Sequence, residues 1–187
     1  MTKRREPLTR VFVPSTPWPI FICAIDPSNE SSGWAMFISG MLFDHGVAVT
    51  WFDRAQVANR AAKHAKDAGL PLLFVLEDWG GSVRSTLTAF GMGAARGKWL
   101  QVIGETHYRE DHVSYIHLST WRSRAGVGRC ADSDAYKARA VEMVRRKFSV
   151  SVEHDVAEAI LIGDVASQSP ESMDMVETIA RARKKAA

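Results

Sequence analysis

Two stretches constrain this chain more than any others. Phe21-Ile22-Cys23-Ala24-Ile25 and Leu70 to Leu76 are apolar almost without interruption, and each runs directly into acid: Asp26 after the first, Glu77-Asp78 after the second. A strand with one wet face alternates apolar and polar residues, whereas a continuously apolar strand is covered on both faces. Such strands belong in the middle of a sheet with helices packed against it. A chain of 187 residues can bury a substantial core as one domain without staples. Its two cysteines, Cys23 and Cys130, form no paired motif, which argues for a reducing compartment and against a zinc site.

The remaining pattern fills in around these strands. Gly33 to Ile38 and Gly46 to Phe52 read as further strands, with Asp44-His45-Gly46 as the turn between them. Arg54 to Ala68 reads as a helix stopped by Gly69 and Pro71, and Val83 to Leu100 as a helix despite Gly91, Gly93 and Gly97. Those glycines make sense where something packs close to the helix. Val113 to Leu118 is strand-like, Asp132 or Ser133 caps a helix running to Phe148, and Asp155 to Ala166 is an apolar helix. The expected fold class is therefore α/β: a five-stranded mixed sheet, three strands in an antiparallel meander plus parallel strands, flanked by helices. Residues 1–19 read as a basic, proline-rich arm, 20–168 as the domain, and 169–187 as a polar and basic tail. Trp34, Phe37, Trp51 and Phe74 are expected in the core.

Charge is nearly balanced, 24 Lys and Arg against 21 Asp and Glu, but unevenly placed. Basic residues crowd both ends and recur through the middle at Arg84, Arg96, Lys98, Arg122, Arg124, Arg129, Lys137 and Arg139. A solvated surface accounts for such charges, and so does a polyanionic partner. No apolar run approaches the roughly 18 residues of a membrane span, and the basic start leads into Pro14-Ser15-Thr16-Pro17, not a signal core. A cytoplasmic protein with no membrane partner is the expectation.

The positions of four acids carry the chemistry. Asp26 and Glu77 end the two buried strands; Asp155 and Glu158 fall in the first turn of the last helix, about 60° apart around its axis. Each has an ordinary explanation: Asp26 before Pro27 as a turn residue, Glu77 as an exposed strand end, Asp155-Val156-Ala157-Glu158 as a capping box. If the strands are neighbours and the helix abuts them, the acids instead converge, and converging carboxylates need a counter-charge or take up protons. Oxygen-only donors suit Mg²⁺, with Mn²⁺ as a substitute. Two such ions about 3.5–4 Å apart serve phosphodiester cleavage.

The motifs Ile22-Cys23-Ala24-Ile25-Asp26-Pro27-Ser28 with Gly33-Trp34-Ala35, Leu73-Phe74-Val75-Leu76-Glu77, and His154-Asp155-Val156-Ala157-Glu158-Ala159-Ile160 occur in that order. Together they resemble the RuvC-like Holliday junction resolvases of the RNase H-like superfamily, over about Phe21 to Ala166. The resemblance implies metal-ligand roles for Asp26, Glu77, Asp155 and Glu158. It also implies a homodimer that cuts two strands of a four-way junction symmetrically, leaving 5′-phosphate ends, without a nucleotide cofactor. Glu158 in the last position is similar to the phage versions. Trp79 occupies a place where the family often carries an aromatic facing the junction centre, suited to stacking on an unpaired base. Arg84 opens a helix, where a phosphate meets the N-terminal dipole. Arg122, Arg124, Arg129 and Lys137 surround Trp121–Cys130, read as a basic loop for backbone phosphates. Asp78 competes with Glu77 as ligand, although strand alternation sends the two to opposite faces; His154 is placed to assist a proton transfer or to serve as a structural partner. Other readings are another RNase H-like nuclease acting on branched DNA or RNA–DNA hybrids, a junction-binding protein without cleavage, and an actin-like ATPase, for which the chain is short.

Overall fold

The computed structural model describes residues 19–79, 85–106 and 112–186. The 1–19 arm, apart from its last residue, and Arg84 lie outside them. Five strands, β1 (Phe21–Asp26), β2 (Ser32–Ile38), β3 (Met41–Ala48), β4 (Leu72–Asp78) and β5 (Val113–His117), form one sheet in the order β3-β2-β1-β4-β5. β1–β2 and β2–β3 pair antiparallel; β1–β4 and β4–β5 pair parallel. The expected mixed sheet is present, with the two continuously apolar strands side by side at its centre.

Alternation along β1 and β4 splits the core. Ile22, Ala24, Leu73 and Val75 pack beneath α5 (His154–Ser167), whereas Phe21, Cys23, Ile25, Leu72, Phe74 and Leu76 meet α1 (Trp51–Asp67) and α2 (Thr86–Glu105) on the other face. Every residue of α5 from Val156 to Ser167 is buried. At Gly163 an added Cβ would fall 2.3 Å from the Phe37 ring and 3.1 Å from Ala24 Cβ, so the glycine lets this helix lie directly on the sheet. Trp34, Phe37 and Phe74 are buried as expected.

Several boundaries differ from the sequence reading, each for a local reason. The β2–β3 hairpin turns at Ser39-Gly40, both at positive φ, and not at Asp44-His45-Gly46, which lie inside β3. Gly46 is there because the Trp34 indole occupies the space above it, 2.8 Å from where a Cβ would stand. A capping box formed by Thr50 and Asp53 starts α1 at Trp51, so Trp51 and Phe52 lie in a helical first turn and not in a strand. Trp51 is 40% exposed and does not belong to the core. In α2 a Cβ added at Gly91 would fall 2.9 Å from the Asn29 side chain, whereas one added at Gly93 or Gly97 would meet no other part of the described residues within 4 Å.

Two segments read as irregular are helical: α3 (Leu118–Ala125), closed by Gly126 in the left-handed conformation, and α6 (Pro170–Ala186), which buries Val176 and Ile179. The presumed tail is thus a helix packed on the domain. α4 (Ser133–Phe148) begins after the Asp132 cap as expected. Among the described residues no helix is long and apolar enough to cross a membrane.

Candidate active site

The parallel register decides where the first two acids stand. Ile25 pairs with Leu76, so the next residues, Asp26 and Glu77, are level at the same end of adjacent strands. Both follow the face of Ala24 and Val75, beneath α5. Asp78 follows the face of Leu76 and pairs with Arg96 of α2 (Nη1–Oδ1 3.0 Å), so Glu77 is the acid directed to the α5 side.

The N-terminus of α5 is brought against the same strand ends by Gly33, whose missing Cβ would sit 1.9 Å from the Asp155 carbonyl oxygen. The capping-box reading of Asp155 and Glu158 fails, because Glu153 is the N-cap and makes no side-chain cap bond. Asp155 instead accepts from Ser31 Oγ at 2.9 Å, and His154 Nε2 lies 2.8 Å from its other carboxylate oxygen. Lys137 Nζ also lies 3.1 Å from that Nε2. One ring nitrogen carries one proton at most, and an ammonium only donates. Lys137 therefore donates to Nε2, and its charge stands beside the Asp155 carboxylate.

Asp26, Glu77, Asp155 and Glu158 therefore line one cleft of about 680 Å³, together with Ser28, Asn29, Trp79, Arg122 and Lys137. Three of the four, Asp26, Glu77 and Glu158, are buried. Burial, followed by the charges of Glu77, Glu158 and Asp155, holds the Asp26 carboxyl well above the usual carboxylate range. Burial also pushes Glu77 up to about 7, against the opposing hydrogen bond from Trp121 and with the added charge of Glu158. Glu158 is raised by burial and drawn back mainly by Arg122.

The cleft's fixed partners are Trp121 Nε1–H, which donates to Glu77 Oε1 at 2.6 Å, and Arg122, which donates to Glu158 Oε1 at 3.2 Å. The Arg122 guanidinium stacks 4.4 Å from the Tyr136 ring centroid. The segment read as a basic loop thus begins as a helix that supplies two contacts to the acids. Its sequence signal was the Trp121-Arg122 pair, but nothing local says that an indole would reach a strand 44 residues earlier. A second set of contacts also escaped the sequence. Buried Arg54 and Ser32 both donate to the Ser28 carbonyl, and Trp99 donates to Ser32 Oγ, fixing the loop after Asp26.

The other expected contacts divide. Trp79 and Lys137 line the cleft. Arg124 is held by Glu171 through both terminal nitrogens, beside a separate cavity of about 240 Å³. Arg129 is exposed beside the cleft, and Arg84 lies outside the described residues.

A divalent cation is the group this donor set calls for. The donors are all oxygen, and the three buried ones, Asp26, Glu77 and Glu158, resist ionisation chiefly because of that burial. As the side chains stand, no group of three or more among the described residues is set to hold an ion. Oxygens of Glu77, Asp155 and Glu158 are instead given to Trp121, Ser31 and Arg122.

No family model and no curated protein matches this chain. Among solved structures it is similar to RuvC of T. thermophilus in complex with Holliday junction substrate, at TM-score 0.53 and 14% identity, covering 80% of this chain and 93% of that one. It is also similar to the Thermus thermophilus RuvC structure, at TM-score 0.53 and 16% identity, covering 80% and 94%. The fold is thus the RNase H-like α/β architecture of RuvC.

Proposed function

We propose that this protein is a divalent-metal-dependent DNA endonuclease that resolves four-way junctions, working as a homodimer on a two-fold symmetric substrate. The observation that carries the reading is the cleft in which Asp26, Glu77, Asp155 and Glu158 meet, three of them held above their usual ionisation range by burial and by one another. A protein that merely held DNA would gain nothing from buried acids where phosphates must lie. The similarity in fold to a RuvC solved with Holliday junction substrate supports the choice of DNA.

Asp26, Glu77, Asp155 and Glu158 are the residues that would hold Mg²⁺ or Mn²⁺. When bound, such ions activate the attacking water and stabilise the leaving 3′ oxygen, leaving a 5′-phosphate. The chain's own groups prepare the cleft. Trp121 and Arg122 fix the rotamers of Glu77 and Glu158, so little ordering remains to be done when substrate arrives. Ser31 orients Asp155. Arg122 and Lys137 set positive charge beside the acids, where a phosphate's non-bridging oxygens gain most from it.

The test is cleavage of a synthetic four-way junction in Mg²⁺ alongside a linear duplex and an RNA–DNA hybrid of the same sequence. Paired nicks at the branch that disappear in Asp26→Asn are expected. Equal cutting of the linear duplex would remove the junction assignment, and tight binding without nicking in Mg²⁺ or Mn²⁺ would remove the nuclease assignment.

A further inference from the structure

The acid cleft has two walls of unlike chemistry. α3 and α4 pack on the α5 face of the sheet, and from there Arg122 and Lys137 line the cleft. α2 packs on the other face, and with the loop between β1 and β2 it supplies Asn29, Glu30, Thr88 and Met92. Among the described residues this second wall carries no cation and one carboxylate, Glu30. Glu30 belongs to none of the motifs that end in the four acids, and the cleavage chemistry above does not use it.

The loop that bears Asn29 and Glu30 is braced from several sides. Ser32 Oγ accepts from the Ser28 amide at 3.0 Å and donates to the Ser28 carbonyl at 3.1 Å. Trp99 Nε1–H donates to the same hydroxyl at 3.0 Å, and Arg54, 2% exposed, donates to the same carbonyl at 3.2 Å. Ser31 is held by Asp155. Gly91 makes room for Asn29, since a Cβ there would fall 2.9 Å from the side-chain amide nitrogen. On this frame the Asn29 and Glu30 side chains are exposed, and they make no hydrogen bond or ion pair among the described residues. Polar groups fixed by their backbone and unspent on the protein meet a substrate at little ordering cost.

A phosphate offers only acceptors and negative charge, so it belongs on the wall of Arg122 and Lys137 and is repelled by Glu30. The side of the nucleotide turned to Asn29 and Glu30 is then the base. We propose that Asn29 and Glu30 read the edge of a base beside the scissile phosphate, favouring adenine or cytosine, which present an amino group, over guanine or thymine, which present a carbonyl oxygen. This rests on the DNA reading above and deepens it by naming what sets the sequence at which the strand is cut. An ionised carboxylate only accepts, so a carbonyl opposite Glu30 sets two acceptors face to face, at the cost of an unmade hydrogen bond. The Asn29 amide both donates and accepts. It adds a second contact to either class of base, and Glu30 decides the sign of the preference.

The experiment gives the full chain a four-way junction with fixed arms whose base pairs flanking the branch point are randomised. The strands cut in Mg²⁺ and, separately, the junctions bound in EDTA are sequenced, which yields relative preferences for all four bases in one competition. The proteins are wild type, Glu30→Gln, Glu30→Lys and Asn29→Ala, with folding checked by circular dichroism. At one position beside the nick, wild type should prefer A and C over G and T by about 5- to 150-fold in relative kcat/KM. Glu30→Gln, whose amide donates as well as accepts, should flatten that preference to less than about threefold, and Glu30→Lys should reverse it. Asn29→Ala should slow cutting of every sequence while keeping the direction of the preference. A wild type that favours G and T, or neither class, at every flanking position would overturn the base-reading assignment alone. So would a preference left unchanged in Glu30→Gln, or a gain in Glu30→Lys shared equally by all four bases, which is the mark of a phosphate contact. A wild type that neither binds nor cuts the junction would overturn the DNA reading itself, and the base-reading assignment with it.

Discussion

Glu77 is the position where the electrostatics can be read most directly as stability. The residue is 2% exposed and its carboxyl is pushed up to about 7 from 4.5, chiefly because burial penalises the charged form. A carboxyl whose proton is held more tightly in the folded state adds stability that is full below its unfolded ionisation and gone once the pH passes the folded one. The ion-free protein should therefore lose stability as pH rises from about 4.5 to about 7, with Glu77 accounting for about 3 kcal/mol of it at about 1.4 kcal/mol per pH unit. Glu77→Gln removes the titration and keeps the acceptor for Trp121 Nε1–H. The variant should match wild type near pH 4.5 in EDTA and exceed it by about 3 kcal/mol at pH 8, a rise of roughly 6–12 °C in melting temperature for a chain of this size. Urea midpoints at both pH values measure it. Adding Mg²⁺ at pH 8 should stabilise wild type and leave the variant nearly unchanged, while junction cleavage is lost in the variant. Equal stability of the two proteins at pH 8, or a difference that does not change with pH, would refute the claim that this carboxylate is held against an uncompensated desolvation cost.

Asp26→Asn should reduce junction cleavage by at least on the order of 10²-fold while gel-shift binding in EDTA is kept, since the buried carboxyl resists ionisation without an ion and the amide keeps its shape. Gly33→Ala should cost about 1–3 kcal/mol or more in urea unfolding, and activity with it, because the new methyl group collides with the Asp155 carbonyl and pushes the start of α5 away. Trp121→Phe should destabilise the protein by roughly 1.5–3 kcal/mol at pH 8, by withdrawing the donor from ionised Glu77. In the same variant the acid limb of the rate–pH profile should move to higher pH, because that bond is what draws the Glu77 ionisation down. An unmoved profile would mean that the bond is dispensable for Glu77.

Much of the architecture was legible because strong signals coincided. Continuous apolar runs at Phe21–Ile25 and Leu70–Leu76 admit little besides central strands, and the apolar helix from Asp155 had to be buried on them. Misread segments were those where a short-range device outweighed composition. Ser39-Gly40 turned the chain before Asp44 did, and the Thr50–Asp53 box drew two aromatic residues into a helix. At the C-terminus, Val176 and Ile179 were sufficient to dock a stretch whose composition looked solvated. The Arg124–Glu171 pair adds a contact between α3 and α6 that neither segment announces.

The acids themselves, their order along the chain and the faces they occupy were set by the sequence, because strand alternation and helical pitch are local properties of the backbone. That they share one cleft was settled in three dimensions, by the parallel register of β1 with β4 and by the close approach that Gly33 permits. The cations were sorted there too: Arg122 was bound to Glu158, and Arg124 was turned away to Glu171. Charge pairing depends on which side chains meet through space, and separation along the chain carries no record of it.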